Sequence, residues 1–251
     1  MSSLDTVFGI HAVASLLSHH SEDVVQLYVQ AERKHKKDKR LQGILDKAAS
    51  AGIPIEERSR QELDELCPQV HQGILALSNK VNLERHEQEL DALLEALDVP
   101  PFLLILDGVT DPHNLGACLR SAEAAGVSAV IVPKDKSAQL TPTARKVACG
   151  AAESVPFISV TNLARTLQSL QQKGIWLFGA AEEAEQSLYE ADLKGPIALV
   201  LGSEGKGLRR LTRENCDSLL AIPMAGEVSS LNVSVSTGIC LFEAVRQRQT
   251  Q

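Results

Sequence analysis

The run Phe102–Leu106 is apolar at every position, and four similar runs follow it in the second half of the chain. Strands without polar alternation are typical of a parallel sheet that helices cover on both faces. The later runs are Val127–Val132, Ile175–Phe178, Ile197–Leu201 and Leu219–Ile222. Helix patterns stand between them, such as the one from Asn162 to Lys173. This alternation predicts an α/β fold with a mostly parallel sheet.

The segment Thr110–Pro112 has the signals of a helix start, because the capping residue Asp111 precedes a proline that fits the first helical position. Gly126 is the residue expected just beyond the end of this helix. Arg120 follows Leu119 on the face expected to be buried. A buried guanidinium needs a specific partner, so a surface ion pair is not the expected role of Arg120.

Two domains are expected, with an acidic linker between them. Residues 1–77 alternate short strand and helix patterns, which predict a small α/β domain. Residues 78–100 are polar and acidic and end in prolines, which forbid helix continuation, although leucines at helical spacing indicate a helix inside this linker. Residues 101–251 form the larger, carboxy-terminal domain.

Composition limits the classes of site that the chain can hold. The five cysteines form no CxxC pair and several lie in apolar patterns, which favours buried thiols in a reducing cytoplasm over disulfides or zinc. His11, His71 and His113 have no metal-ligand spacing, so we expect no metal. No signal peptide and no membrane-spanning run is expected either.

The charge of the chain is unevenly distributed. The net charge is -7, and residues 77–98 carry six acidic groups against two basic ones. A basic cluster lies nearer the amino terminus. It consists of Arg33, Lys34, Lys36, Lys37, Lys39 and Arg40. The cluster by itself favours a solvated loop, and a patch that contacts phosphates is the alternative.

Three polar segments each follow a predicted strand, and open α/β sheets place ligands at the carboxyl ends of their strands. The first, Asp107–Arg120, contains the candidate site residues Asn114 and Arg120. The second, Gly202–Gly207, contains Glu204 among three glycines, which permit close approach of the backbone to a ligand. This loop has neither the Walker A nor the GxGxxG spacing.

The third segment is Ile222–Ala244, which is unusually polar for the start of an apolar helix. Ser, Thr and Asn compete for backbone hydrogen bonds and are neutral to unfavourable in a helix interior. Hydroxyls that bond to the preceding turn explain one or two such residues, but six in nine positions indicate a wall for a ligand or a second chain. They are Ser229, Ser230, Asn232, Ser234, Ser236 and Thr237.

In order and spacing, the three segments resemble the motifs of the SpoU (TrmH-like) family of RNA 2′-O-ribose methyltransferases. The matches are Asn114–Arg120, Gly202–Gly205 and Ser230–Ser234. Residues 8–17 and 71–76 are similar to the amino-terminal, substrate-binding domain of that family, which has an L30e-like fold. The likeness covers nearly the whole chain and is greatest to bacterial members that methylate a guanosine in the P loop of 23S rRNA.

The resemblance implies that S-adenosyl-L-methionine binds in a deep trefoil knot of the carboxy-terminal domain, against Gly202, Ile222 and Leu231. It also implies a homodimer with the site at the subunit interface and 23S rRNA as the partner. The sulfonium charge already makes the methyl group electrophilic, so no metal is required.

The family pattern makes Arg120 the catalytic residue, with Asn114, Glu204, Ser230 and Asn232 positioning it, the cofactor and the nucleotide. A guanidinium stays protonated at ordinary pH. Stabilisation of the developing alkoxide, or a proton transfer relayed through a phosphate, is therefore favoured over base catalysis by the arginine.

Three other functions stay open at this point. A non-catalytic RNA-binding or ribosome-assembly protein could keep the same fold, although intact motifs argue against it. A Rossmann-type oxidoreductase would share the α/β alternation, but the first βα turn lacks GxGxxG. Within the enzyme class, a tRNA ribose methyltransferase is the main competitor.

Overall fold

The computed structural model describes all but a few short stretches of the chain. The described residues are 4–34, 38–79, 83–228 and 230–249. Lys36 and Lys37 of the basic cluster and Ser229 of the third polar segment lie outside them. Contacts divide the chain into an amino-terminal unit, Met1–Leu83 with Cys149–Ser154, and a larger sheet unit, Glu84–Ala148 with Val155–Gln251.

Helices and strands alternate along most of the chain. The first elements are β1 (Asp5–Phe8), α1 (Ile10–His19), β2 (Val24–Gln30), α2 (Ala31–Lys34), α3 (Lys39–Ser50), β3 (Ile55–Arg58), α4 (Arg60–Leu66), β4 (Ile74–Ser78), β5 (Glu84–His86) and α5 (Glu87–Glu95). The next are β6 (Phe102–Asp107), α6 (Pro112–Ala124), β7 (Ala129–Pro133), α7 (Pro142–Ala148), α8 (Ala151–Ser154), β8 (Phe157–Val160) and α9 (Leu163–Gln172). The last are β9 (Trp176–Ala180), β10 (Gln186–Ser187), β11 (Ile197–Gly202), α10 (Arg210–Glu214), β12 (Ser218–Ala221) and α11 (Val233–Gln249).

The amino-terminal unit is built on a four-stranded sheet in the order β1-β4-β2-β3. Strand β4 is antiparallel to both of its neighbours, whereas β2 and β3 are parallel. Buried aliphatic side chains of α1 and α3, such as Leu16 and Ile44, pack with Leu27 and Ile74 of the sheet. This is the small α/β arrangement that the alternating patterns predict.

The sheet unit contains eight parallel strands in the order β10-β12-β9-β11-β6-β7-β8-β5. Every residue of β6 and β7 is buried, which agrees with strands covered on both faces. The predicted α/β fold with a mostly parallel sheet is therefore confirmed.

Helix α6 begins where the capping signals predict. The Asp111 carboxylate accepts a hydrogen bond of 3.0 Å from the backbone N–H of His113, and Pro112 occupies the first helical position. Gly126 follows the helix with φ +72°, as predicted for its C-terminal cap. A Cβ at Gly116 would lie 2.5 Å from the Ala144 carbonyl oxygen, so glycine is needed where α6 packs against α7.

Part of the segment expected to be a linker belongs to the sheet unit. Strand β5 pairs with β8 at the edge of the sheet, and α5 follows it. Leu90 is buried in the core of this unit, whereas the acidic residues Glu89, Asp91 and Glu95 of α5 are exposed. The acidic residues that suggested a linker thus lie on the outer face of a helix that packs in the sheet unit.

The five cysteines all lie in the described part of the chain and form no disulfide there. Cys67, Cys118 and Cys240 are buried as predicted, whereas Cys149 and Cys216 are only half-buried. Burial raises the pKa of Cys118 to about 11 and that of Cys240 to about 12, so these thiols stay neutral at physiological pH. Among the described residues, no helix combines the length and the apolar character that crossing a membrane requires.

Candidate functional site

The three polar segments meet at one edge of the large sheet. Neighbouring strands end there at Ala221 (β12), Ala180 (β9), Gly202 (β11) and Asp107 (β6). Because these strands are parallel, their carboxyl ends share one edge, which is where such sheets bind ligands.

One hydrogen-bonded group joins the three segments. Asn114 Nδ2 donates to Glu204 Oε1 at 2.9 Å, and Asn232 Nδ2 donates to Asn114 Oδ1 at 3.0 Å and also to Glu204 Oε1. The donors and acceptors come from α6, from the loop after β11 and from the start of α11. The Glu204 carboxylate therefore connects Asn114 and Asn232, which are 118 residues apart in the sequence.

The loop after β11 is a closed turn. The backbone groups of Ser203 and Gly207 exchange two hydrogen bonds, of 3.1 and 2.9 Å. A Cβ at Gly202 would lie only 2.0 Å from the Gly207 carbonyl carbon and 2.3 Å from the Leu208 nitrogen. Only glycine fits this position, and the fit fixes the loop that presents Glu204.

A cleft of about 460 Å³ lies beside this loop. We call it the first cleft. Its walls combine apolar side chains with polar groups from the second and third segments. They include Gly202, Glu204, Ile222, Ser230, Leu231 and Asn232, together with Leu201, Val233 and Ser236. The three residues expected to contact the cofactor thus share one cleft, and their role there stays a prediction.

Acidic side chains outnumber basic ones by a single residue in the first cleft. Glu182, Glu183 and Glu204 line it together with Lys206 and Arg213, and Arg213 forms an ion pair with Glu183. Hydrogen bonds from the backbone N–H of Glu183 and then from Arg213 hold the pKa of the Glu183 carboxyl below its usual range. The cleft therefore favours a ligand that carries positive charge.

Arg120 differs from the expectation. The structure places it on the exposed side of α6, so the prediction of a buried face is wrong. Leu119 is buried and Arg120 is not, because adjacent helical residues point about 100° apart. Within the described part of the chain, Arg120 is not among the residues that line the first cleft. Its catalytic role stays a prediction.

The polar residues of the third segment have divided roles. Thr237 is buried, donates to the Val233 carbonyl at 2.8 Å and contacts Cys118 Sγ at 3.3 Å, so it serves helix packing. Asn232 Oδ1 accepts from the backbone N–H of Ser234 at 2.9 Å, which caps the helix. The helix itself begins at Val233.

Sequence reasoning missed the ion pair of Asp107 and Arg209 at the end of β6. Asp107 is fully buried, and its Oδ1 lies 3.4 Å from Nε of Arg209, while its Oδ2 accepts from the Arg209 backbone N–H at 2.9 Å. Asp107 directly follows five apolar strand residues, and this position could have indicated a buried carboxylate. A buried charge requires a partner, so an ion pair could have been expected there.

Comparisons with known proteins identify the family of the chain. Residues 101–242 match the SpoU rRNA Methylase family, and residues 6–83 match the RNA 2′-O ribose methyltransferase substrate-binding family. The chain is 56% identical over 251 residues to the 23S rRNA (guanosine-2′-O-)-methyltransferase RlmB of Pseudomonas putida, with 100% of both chains covered. It is 58% identical to RlmB of Escherichia coli, over 97% of this chain and 99% of that one.

A solved structure shows the same fold. It is the SpoU methyltransferase AviRb from Streptomyces viridochromogenes in complex with AdoMet, with a TM-score of 0.78 and 24% identity. The likeness covers 99% of this chain and 92% of that one.

Proposed function

Because this chain belongs to the SpoU rRNA methylase family, we propose that it methylates the ribose 2′-hydroxyl of a guanosine in 23S rRNA, with S-adenosyl-L-methionine as methyl donor. The hydrogen-bonded group of Asn114, Glu204 and Asn232 is the observation that carries the proposal. It joins all three motifs beside one cleft. The proposed target is the guanosine of the P loop, and a cytoplasmic location is part of the proposal because the proposed substrate is ribosomal RNA.

The first cleft suits S-adenosylmethionine. Apolar walls at Ile222 and Leu231 offer a slot for adenine, and Gly202 leaves space for close backbone approach. The carboxylates of Glu182 and Glu204 complement the positive charge of a sulfonium and an ammonium group. When bound, this group supplies an electrophilic methyl that needs no metal. A trefoil knot around the cleft is part of the proposal.

In the proposed reaction, the residues of the chain bind and orient the ribose 2′-hydroxyl that is methylated. An in-line approach of the 2′-oxygen is needed, so the ribose must be held rigidly next to the first cleft. Asn114, Glu204, Ser230 and Asn232 supply hydrogen-bond donors and acceptors for that purpose. Arg120 supplies a fixed positive charge that stabilises the developing alkoxide, while the hydroxyl proton passes to an RNA phosphate or to water.

Mapping of ribose methylation in rRNA tests the proposed substrate. In a strain that lacks this gene, the P-loop guanosine of 23S rRNA should lose its 2′-O-methyl group, and the plasmid-borne chain should restore it. Purified protein should transfer one tritiated methyl group to unmodified 23S rRNA and none to tRNA. A P-loop guanosine that stays methylated in the deletion strain would show that the substrate assignment is wrong.

We also propose that the protein acts as a homodimer through α11. Val235 and Phe242 are each 49% exposed, and Ile239 lies between them on the same face of the helix. The opposite face is buried at Leu241 and Ala244. A helix that is apolar on two faces needs cover on both, and a second copy of the same helix provides it.

Phe242→Glu should convert the dimer to a monomer, because two unpaired carboxylates would be buried at the interface. The dimer dissociation constant should rise about a hundredfold or more, which corresponds to about 3 kcal/mol. Sedimentation equilibrium measures this change. Val99→Glu, at a side chain that is 63% exposed before β6, is the matched control and should leave the dimer intact. Equal dissociation constants for wild type and Phe242→Glu would exclude α11 as the interface.

A further inference from the structure

A second cleft, of about 680 Å³, also borders the loop 203–207. The two clefts share the walls Ser203, Glu204, Lys206, Gly207, Leu208 and Val233. The second cleft also contains Asn114, the remaining side chain that contacts Glu204. Whatever occupies it would therefore lie next to the methyl donor and against the hydrogen-bonded group that joins the motifs.

More basic than acidic side chains line the second cleft. Its charged lining residues are Lys136, Lys206, Arg209 and Arg210 against Asp111 and Glu204. Among the described ion pairs, Arg210 is held by Glu214 at 2.7 Å, whereas none involves Lys136 or Lys206. Asp107 and Glu214 pair with Arg209 and Arg210, so Lys136 and Lys206 are the cations left available to an anionic ligand beside the proposed site.

Arg209 is fixed within this cleft rather than free to move. Besides its ion pair with the buried Asp107, its Nη2 donates to the Lys136 carbonyl at 3.3 Å. The Arg209 side chain is still 43% exposed, and a guanidinium has five N–H donors, so further donors remain for a ligand. The guanidinium is thus pre-oriented, which lowers the entropy lost on binding.

The backbone around Arg209 is adapted to it. Gly108 has φ +83°, and a Cβ there would lie 3.1 Å from Nη2 of Arg209, so a glycine leaves space for the guanidinium. The Val109 carbonyl accepts a 2.7 Å hydrogen bond from the Ala138 backbone N–H, which ties the loop carrying Lys136 to the end of β6. Backbone contacts therefore fix the positions of Arg209 and of the loop that carries Lys136 within the second cleft.

We propose that the second cleft binds a phosphodiester of the RNA strand next to the target ribose, with Arg209 as a positioning residue that Asp107 holds in place. Arginine forks match phosphate oxygens in two-point contacts, and lysines add point charges. The inference rests on the proposed function, because it takes the RNA substrate from there. It adds where the strand runs: across the second cleft, with the ribose turned toward the first.

Replacing Arg209 with alanine in the full-length protein tests the inference. The KM for a transcript of the methylated 23S rRNA region should rise about tenfold, as expected for the loss of a charged hydrogen-bonded contact. The Kd for S-adenosylmethionine, measured by calorimetry, should change less than about twofold, because Arg209 does not line the first cleft. The slope of log Kd for RNA against log salt should fall by about 0.7. Arg209→Lys should recover part of the loss, since it keeps the charge.

Two further variants keep the result interpretable. Lys136 lies on an exposed loop, and Lys136→Ala should raise the KM for RNA by about threefold. This variant tests the cleft even if Arg209→Ala unfolds because the buried Asp107 loses its partner. Arg165→Ala, which removes one exposed charge from α9, is the control and should leave the KM unchanged. A folded Arg209→Ala with wild-type RNA KM and salt slope would overturn the inference, as would equal effects of Lys136→Ala and Arg165→Ala.

Direct RNA binding separates this inference from the proposed function. Fluorescence anisotropy of the labelled transcript needs no methyl transfer. Should the wild type bind the RNA without methylating it, the proposed function fails, whereas a specific loss of binding in Arg209→Ala and Lys136→Ala would still support the second cleft.

Discussion

Replacing Arg120 with alanine is expected to lower kcat for ribose methylation by about a thousandfold, while the Kd for S-adenosylmethionine stays within about twofold of wild type. A preorganised positive charge at a developing alkoxide contributes only in the transition state, so its loss appears in kcat. Arg120 lies on the exposed side of α6 and does not line the first cleft, so cofactor binding should not need it. Single-turnover methyl transfer and calorimetry measure the two quantities.

The Arg120→Lys variant distinguishes fixed charge from base catalysis. A lysine keeps the charge up to a pKa of about 10.4, so the ratio of its rate to the wild-type rate should stay flat between pH 7 and pH 9. If residue 120 took the proton itself, that ratio would rise with pH as the lysine deprotonates. Arg165→Ala controls for the loss of one exposed charge. Full activity of Arg120→Ala would rule out any catalytic role for this residue.

The architecture of the sheet unit could be predicted from the sequence because it depends on local patterns. The apolar run Phe102–Leu106 has the composition of a strand covered on both faces, and the structure buries every residue of β6. Asp111 and Pro112 likewise predicted the start of α6 to the residue, since capping depends on only a few neighbouring groups. The short edge strand β5, with the sequence Glu84–His86, has no apolar pattern and was not predicted.

The geometry of the site could be predicted only in part. The motif resemblance predicted that Asn114, Glu204 and Asn232 belong to one site. It did not predict that both asparagine amides donate to the same oxygen, Oε1 of Glu204. The exposure of Arg120 also escaped prediction. In a helix that packs on one side only, the sequence does not tell whether a residue at the border of the apolar face is buried or exposed, because tertiary packing determines this. The ion pair of Asp107 and Arg209 joins residues 102 apart, which no local pattern encodes.

Gly202→Ala is expected to abolish detectable binding of S-adenosylmethionine, with a Kd raised about a hundredfold or more, and to cost about 1–3 kcal/mol of folding stability. The added Cβ would lie 2.0 Å from the Gly207 carbonyl carbon and 2.2 Å from its oxygen. Both are backbone atoms, so the closed turn from Ser203 to Gly207 must move as a whole. Calorimetry with the cofactor and thermal unfolding measure the two effects.

Gly195→Ala is the matched control. Gly195 belongs to the same unit of the chain as Gly202, and a Cβ added there would meet no atom within 4 Å. It should bind the cofactor as the wild type does. The loop after β11 is also a wall of both clefts and carries Glu204. Its displacement in Gly202→Ala should therefore weaken RNA binding together with cofactor binding, whereas Arg209→Ala weakens RNA binding alone. A Gly202→Ala protein that lost the cofactor but kept wild-type RNA affinity would show that the two clefts are independent of this loop.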